Sequence, residues 1–169
     1  MSNNKNSVSL STIAKELDIQ LVGSSGNETF NEISIDSRTL QPKDIFVALK
    51  GPTNDGHDYL IEAKEKGATA LVIEKDIAID RPYFLVKDCY KFLDHLAKYR
   101  RDIFTGKVIG LTGSNGKTTT KEIIYSLLQK DGCHKTKGNK NNHIGVPLTL
   151  SSLSNNDNYA VIEIGTNST

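Results

Sequence analysis

Cysteine is scarce: only Cys89 and Cys133 occur in 169 residues, far apart and without partners at metal-ligand spacing. That excludes a disulfide scaffold and a zinc module, and it predicts two reduced thiols buried in the core of a cytoplasmic protein. An excess of either charge is lacking too, since 21 Lys plus Arg face 20 Asp plus Glu. With a net charge of +1 there is no electrostatic case for nucleic acid or an anionic membrane, and any bound anion has to be held by a local site. Long apolar runs are missing. The N-terminal stretch meets Lys15 and Glu16 before an h-region can form, and nothing approaches the roughly 20 apolar residues of a membrane span. Repeats and low-complexity tracts are absent, and 37% apolar with 24% charged residues excludes a disordered tail or a fibre. This length suits one large domain or two small ones, able to bury about two thirds of the unfolded surface.

What is present reads as alternating helices and strands. Leu10, Ile13, Ala14 and Leu17 recur at helical spacing and predict a helix over about 11–18. Strands are expected over 31–37, 44–49, 70–73 and 83–86, with a helix from Tyr59 to Lys66 stopped by Gly67. Asp88 is placed to cap a long helix whose Phe92, Leu93, Leu96, Tyr99 and Ile103 form one stripe, leaving Lys91, Lys98, Arg100 and Arg101 toward solvent. A buried strand over 107–112, a glycine-rich turn and a helix carrying Ile123, Ile124, Leu127 and Leu128 follow, and 159–163 reads as a further strand. The expected class is α/β: a small N-terminal domain over 1–87, a connecting helix over 88–105, and from 106 to 169 the start of a parallel sheet with flanking helices. That second part has too few strands for a sheet covered on both faces.

Chemistry concentrates in four places. Between strand and helix stands Gly110-Leu-Thr-Gly113-Ser114-Asn115-Gly116-Lys117-Thr118-Thr119. Glycines there let backbone N–H groups converge on phosphate, the helix N-terminus adds partial positive charge, Lys117 reaches the outer phosphates, and the Thr118 hydroxyl can ligate Mg²⁺. The strict phosphate-loop spacing needs Gly at 111, where Leu stands, so the match is to the variant T-G-x-x-G-K-T. Glu163, ending an apolar strand downstream of that loop, stands where nucleotide sites place the acid that holds Mg²⁺. Thr136 to Thr149, with Asn139, Asn141, Asn142 and His143 among glycines, reads as a loop dense in neutral donors and acceptors, suited to sugar or peptide amides or else to a polar surface turn; no catalytic role is assigned to His143. Asp36-Ser37-Arg38 after a strand suits a diphosphate or ribose, and equally an ordinary surface Asp–Arg pair beside a turn serine.

In this order D-S-R, F-V-A-L-K-G, D-G-H, T-G-S-N-G-K-T-T-T-K-E, N-K-N-N-H-I-G-V-P-L-T and E-I-G, the sequence resembles the Mur ligase family over residues 33–165. The resemblance implies an ATP- and Mg²⁺-dependent ligase of peptidoglycan precursor synthesis, monomeric and cytoplasmic. S-N-G-K-T-T-T-K-E and the Asn-rich stretch point within the family to joining D-alanyl-D-alanine to UDP-N-acetylmuramoyl-tripeptide, although E-I-G-T-N replaces the more usual E-x-G-A-N. In those terms Gly113 to Thr119 hold the ATP phosphates, Lys117 and Glu163 are catalytic, and Thr118 and Glu163 hold the metal. Ser37 and Arg38 hold the uridine-diphosphate end, and Asn139 and Asn142 the sugar–peptide stem. Other Mur-type or polyglutamate-type ligases and a non-catalytic nucleotide-binding module remain alternatives. The family pattern also implies a longer middle domain and a third domain carrying a carbamylated lysine, a metal-binding histidine and the adenine contacts. The expectation is therefore that these 169 residues alone do not ligate.

Overall fold

The computed structural model describes residues 8–165, in two compact units that meet in sequence between Leu96 and Ala97. Helix α1 (Leu10–Leu17) begins where the Ser9 hydroxyl accepts from Thr12 N and ends at Asp18 in the left-handed region. It leads into β1 (Gln20–Val22), an edge strand that the sequence does not announce, because its side chains are exposed or half-buried. Four parallel strands complete the first sheet: β2 (Ile33–Ser34), β3 (Ile45–Val47), β4 (Ala70–Ile73) and β5 (Tyr83–Leu85), in the order β1-β5-β4-β3-β2 with β1 antiparallel. Helix α2 (Leu60–Glu65), entered through a single 3₁₀ turn over Gly56–Tyr59, is the crossover from β3 to β4. It packs Leu60 and Ala63 with Phe46, Leu71, Ile73 and Tyr83.

Expected strand 31–37 shrinks to two residues because Asp36 reverses the chain: its carboxylate accepts from Arg38 N and its carbonyl from Thr39 N and Leu40 N. Helix α3 (Cys89–Ile103) starts as anticipated, Asp88 Oδ1 accepting from Tyr90 N at 2.8 Å and Lys91 N at 3.0 Å. Phe92 of its stripe packs on Phe84 with ring centroids 5.7 Å apart. Arg100 corrects the expectation of a solvated side chain, being buried and donating to the Leu153 carbonyl. Cys89 is fully buried, and burial pushes its thiol far above the usual range. Cys133 is only half-buried, against expectation, because its strand lies at a sheet edge.

The second unit holds β6 (Lys107–Leu111), α4 (Lys117–Leu128), β7 (Cys133–Lys135), α5 (Gly145–Ser151) and β8 (Tyr159–Glu163). Its strands are all parallel in the order β6-β8-β7, with β8 central. Ala160 and Ile162 of β8 pack with Phe104, Leu153 and Val146. The register decides where chemistry can occur. Leu111 pairs with Glu163 and Lys135 with Val161, so the turn after β6, the loop after β7 and the end of β8 emerge at one carboxyl edge of the sheet. Among the described residues no helix is long and apolar enough to cross a membrane.

Candidate functional site

Beyond Leu111 the chain turns through residues 112–116 and enters α4. Gly113 (φ +138°) and Gly116 (φ +77°) adopt backbone conformations that L side chains rarely reach, and a Cβ on either would touch nothing within 4 Å. These glycines therefore serve an open backbone cradle and not packing. The first helical N–H to find a carbonyl is that of Thr120, donating to Gly116 O at 2.9 Å, so the amides of Lys117, Thr118 and Thr119 precede the intrahelical ladder. Ser114, Asn115, Thr118 and Thr119 are exposed around the cradle. Lys117 folds back over it and donates to the Gly113 carbonyl.

Glu163 closes the other side and is 1% exposed. Four groups hold it: Asn141 Nδ2 donates to Oε1 at 2.8 Å, Lys121 Nζ lies 3.1 Å from Oε2, Thr118 Oγ1 lies 3.2 Å from Oε2, and its own N–H donates to Thr136 Oγ1 at 2.9 Å. Burial by itself raises its pKa. The Asn141 hydrogen bond, then the Lys121 hydrogen bond and charge, then Thr118, outweigh burial and hold the carboxyl below the usual glutamate range. The anionic form is thus the resting form.

This donor set fits Mg²⁺ in one particular way. A hydroxyl and a carboxylate, both hard oxygen donors, converge beside the open backbone cradle, and among the described residues no cluster of three or more His, Cys, Asp or Glu could form an all-protein cage. Mg²⁺ is characteristically held by one or two such protein oxygens plus phosphate and water.

Of the Asn-rich stretch, only 137–144 is loop; from Gly145 it becomes α5, correcting the expectation of a loop to Thr149. Asn139, Asn142 and His143 are exposed. Asn142 Oδ1 accepts from Ile144 N at 3.2 Å and Gly145 N at 2.8 Å, at the start of α5. Asn141 and Lys121, which touch Glu163, are the residues sequence reasoning passed over. Lys121 had one signal, its place one helical turn beyond Lys117 and three residues beyond Thr118.

In the first unit, Ser37 and Arg38 border a cleft of about 360 Å³ together with Phe46, Asn54, Tyr59 and Glu62. Arg38 is exposed and pairs with Asp36 through two contacts of 2.9 and 2.7 Å, which is the surface pair that the sequence left open. Ser37 is buried and donates to Glu62 Oε2 at 2.8 Å; Glu62 is held below its usual range first by Lys66 and then by Ser37.

Sequence profiles match both parts. The Mur ligase family catalytic domain matches residues 29–101 and the Mur ligase middle domain residues 111–169. The chain belongs to the Mur ligase family. Among its Mur ligase relatives, the UDP-N-acetylmuramoyl-tripeptide–D-alanyl-D-alanine ligase of Escherichia coli K12 is 41% identical over 95% of this chain and 35% of its own length. The ligase of the same name from Haemophilus influenzae is 40% identical over 95% of the chain and 36% of its own. MurF from Acinetobacter baumannii superposes with a TM-score of 0.80 at 34% identity, covering 95% of this chain and 36% of that one. The MurF ligase of Thermotoga maritima, solved in complex with ADP, gives 0.63 at 40% identity over 80% of this chain and 32% of its own. The chain thus spans about a third of the length of the relatives it matches.

Proposed function

We propose that this Mur ligase chain carries the nucleotide and UDP-sugar subsites of a cytoplasmic ATP-dependent ligase joining D-alanyl-D-alanine to UDP-N-acetylmuramoyl-tripeptide. The observation that carries the reading is the meeting of the Thr118 hydroxyl and the Glu163 carboxylate at 3.2 Å beside the open cradle, in a chain 41% identical to a ligase of that name. In such a reaction the γ-phosphoryl group of ATP passes to the tripeptide's terminal carboxylate, releasing ADP. The incoming amine then attacks the acyl phosphate, loses its proton and expels phosphate to leave the amide. Phosphoryl transfer asks of the protein mainly position and charge neutralisation. Backbone amides from Gly113 to Thr119 would bind the phosphates, and Lys117 would leave the Gly113 carbonyl to neutralise the outer ones. Thr118 and Glu163 would hold Mg²⁺, which when bound offsets phosphate charge. Ser37 and Arg38 would take the uridine-diphosphate end, and Asn139 and the Asn142 amide the sugar–peptide stem.

A second reading has its own support: a Bacillus cereus relative named UDP-N-acetylmuramoyl-L-alanyl-D-glutamate–2,6-diaminopimelate ligase is 41% identical over 65% of this chain. The test is an NMR titration of the chain with Mg²⁺·ADP and, separately, with UDP-N-acetylmuramoyl-tripeptide and UDP-N-acetylmuramoyl-dipeptide. The proposal expects ADP to move signals from 113 to 119 and the tripeptide to move those from 36 to 38 and 139 to 142. A dipeptide that binds more tightly than the tripeptide favours the second reading, and no response to either sugar nucleotide at millimolar concentration removes both.

A further inference from the structure

Lys121 is the one lysine among the described residues with no exposed surface at all, and it lies on α4 with its ammonium turned toward the sheet edge. Its Nζ is 3.1 Å from Glu163 Oε2, 2.9 Å from the Gly138 carbonyl, to which it donates, and 3.9 Å from Glu122 Oε1. Glu122 is half exposed and is paired with Lys135, so Glu163 and Gly138 are the buried partners. Burying an ammonium is costly, and an apolar side chain of similar volume would fill the same space with less loss of hydration. Stability alone therefore gives a poor account of a lysine here, whereas its two partners give a specific one. One is the acid beside the phosphate cradle. The other is the backbone of the loop over 137–144, at a glycine with φ +57° and open space around it.

We propose that Lys121 is a positioning residue that fastens the 137–144 loop to the Glu163 carboxylate, so that a change at the metal-binding oxygens is passed to the loop that meets the acceptor substrate. The inference rests on the functional reading above for the identity of the two subsites, but the fastening itself does not require a ligand. Asn141 grips Oε1 from the loop side, and its carbonyl accepts from Gly165 N at 2.7 Å, so the carboxylate is held at both oxygens. Lys121 and Thr118 both reach Oε2 from α4, and of the two it is Lys121 that also donates to the loop, at the Gly138 carbonyl. A carboxylate held on both sides cannot rotate without moving one of its holders, and the ammonium is the holder common to helix, strand and loop.

Three measurements on the 169-residue chain test this. In the unaltered protein at low temperature, proton-detected NMR of lysine side chains should show a slowly exchanging Lys121 ammonium with a hydrogen-bond coupling to the Gly138 carbonyl; a rapidly exchanging, freely rotating ammonium overturns the proposal, and this reading needs no variant to fold. In Lys121→Met, amide exchange at Asn141 and Gly165 should accelerate at least tenfold while Val161 and Ile162 in β8 keep their protection. Unchanged loop exchange overturns the proposal, and so does an equal acceleration of loop and strand, which is the mark of a merely structural lysine. Mg²⁺·ADP supplies the coupling arm: it should shift Gly138 in the parent, and in Lys121→Met still shift residues 113–119 and Glu163 while leaving Gly138 in place. Equal Gly138 shifts in both proteins overturn the coupling. If Mg²⁺·ADP shifts nothing in the parent, the nucleotide reading fails, while the ligand-free measurements still decide the fastening.

Discussion

At Lys117 the ammonium is already engaged, donating to the Gly113 carbonyl across the cradle. Phosphate has to replace that partner, and a charge-assisted hydrogen bond to phosphate is worth about 1.5–3 kcal/mol. Lys117→Ala is therefore expected to weaken Mg²⁺·ADP binding by about 10- to 100-fold and to leave the melting temperature nearly unchanged, since the side chain is half-exposed and packs in no core cluster. Isothermal titration beside thermal melting separates the two, and an affinity within twofold of the parent would remove Lys117 from the site. A second residue shows local electrostatics outside the candidate site. Glu28 accepts from Ser24 Oγ at 2.6 Å and from Ser25 N at 3.1 Å, and the Ser24 hydrogen bond leads in lowering its pKa to about 2. Because the folded value lies below the unfolded one, its stabilisation is present above the unfolded pKa and is lost as pH falls through about 2. A carboxyl-carbon NMR titration should give that midpoint, and Ser24→Ala should raise it part of the way toward the ordinary range, the backbone hydrogen bonds remaining.

Elements were legible where burial is two-sided or strongly striped. The apolar runs of β4 and β8 and the Asp88-capped stripe of α3 could be read directly, because continuous burial and a cap leave a pattern in few residues. β1 and β7 could not, since Gln20-Leu-Val and Cys133-His-Lys are edge strands with half-buried side chains, and edge strands carry little alternation. α5 was hidden by its composition: Gly145, Val146 and Pro147 argue against helix, yet Pro147 lies in the first turn, where no intrahelical donor is lost. The glycine turn ahead of α4 and the strand-end Glu163 were legible as motifs. The contacts of Lys121 and Asn141 were not, because the β6-β8-β7 register that brings 111, 138 and 163 to one edge is a tertiary fact. Asn142 follows the same logic at the scale of one helix. Its Oδ1 satisfies two amides at the start of α5, so Asn142→Ala should cost about 1 kcal/mol in chemical denaturation. Asn142→Asp, which keeps the acceptor, should recover most of it. If the Asp variant is as unstable as the Ala variant, the capping account is wrong.

For the whole molecule, the sequence reading ends the N-terminal domain at residue 87 and makes 88–105 a connecting helix, and the compact units part inside that helix, between Leu96 and Ala97. The physical reason lies in what the first half of α3 buries. Cys89 Sγ reaches the Val72 carbonyl at 3.6 Å, Phe92 packs on Phe84, and Leu93 and Leu96 are at most 1% exposed. Each large apolar side chain so buried contributes about 1.5–3 kcal/mol, so Phe92, Leu93 and Leu96 together supply roughly 5–9 kcal/mol. That is comparable with the whole stability of a small domain, about 5–15 kcal/mol. We therefore expect a fragment ending at Ile103 to melt cooperatively by circular dichroism and to bind UDP, the end of the substrate that Ser37 and Arg38 would hold, with an affinity within threefold of the full chain, independently of ADP. A fragment ending at Lys87 should show no cooperative transition. The pair of fragments also separates folding from recognition at Ser37 and Arg38: a folded Ile103 fragment that gives no shifts at residues 36–38 would return the Asp36–Arg38 contact to an ordinary surface ion pair. Cooperative melting of the Lys87 fragment within a few degrees of the longer one would show instead that α3 is a linker.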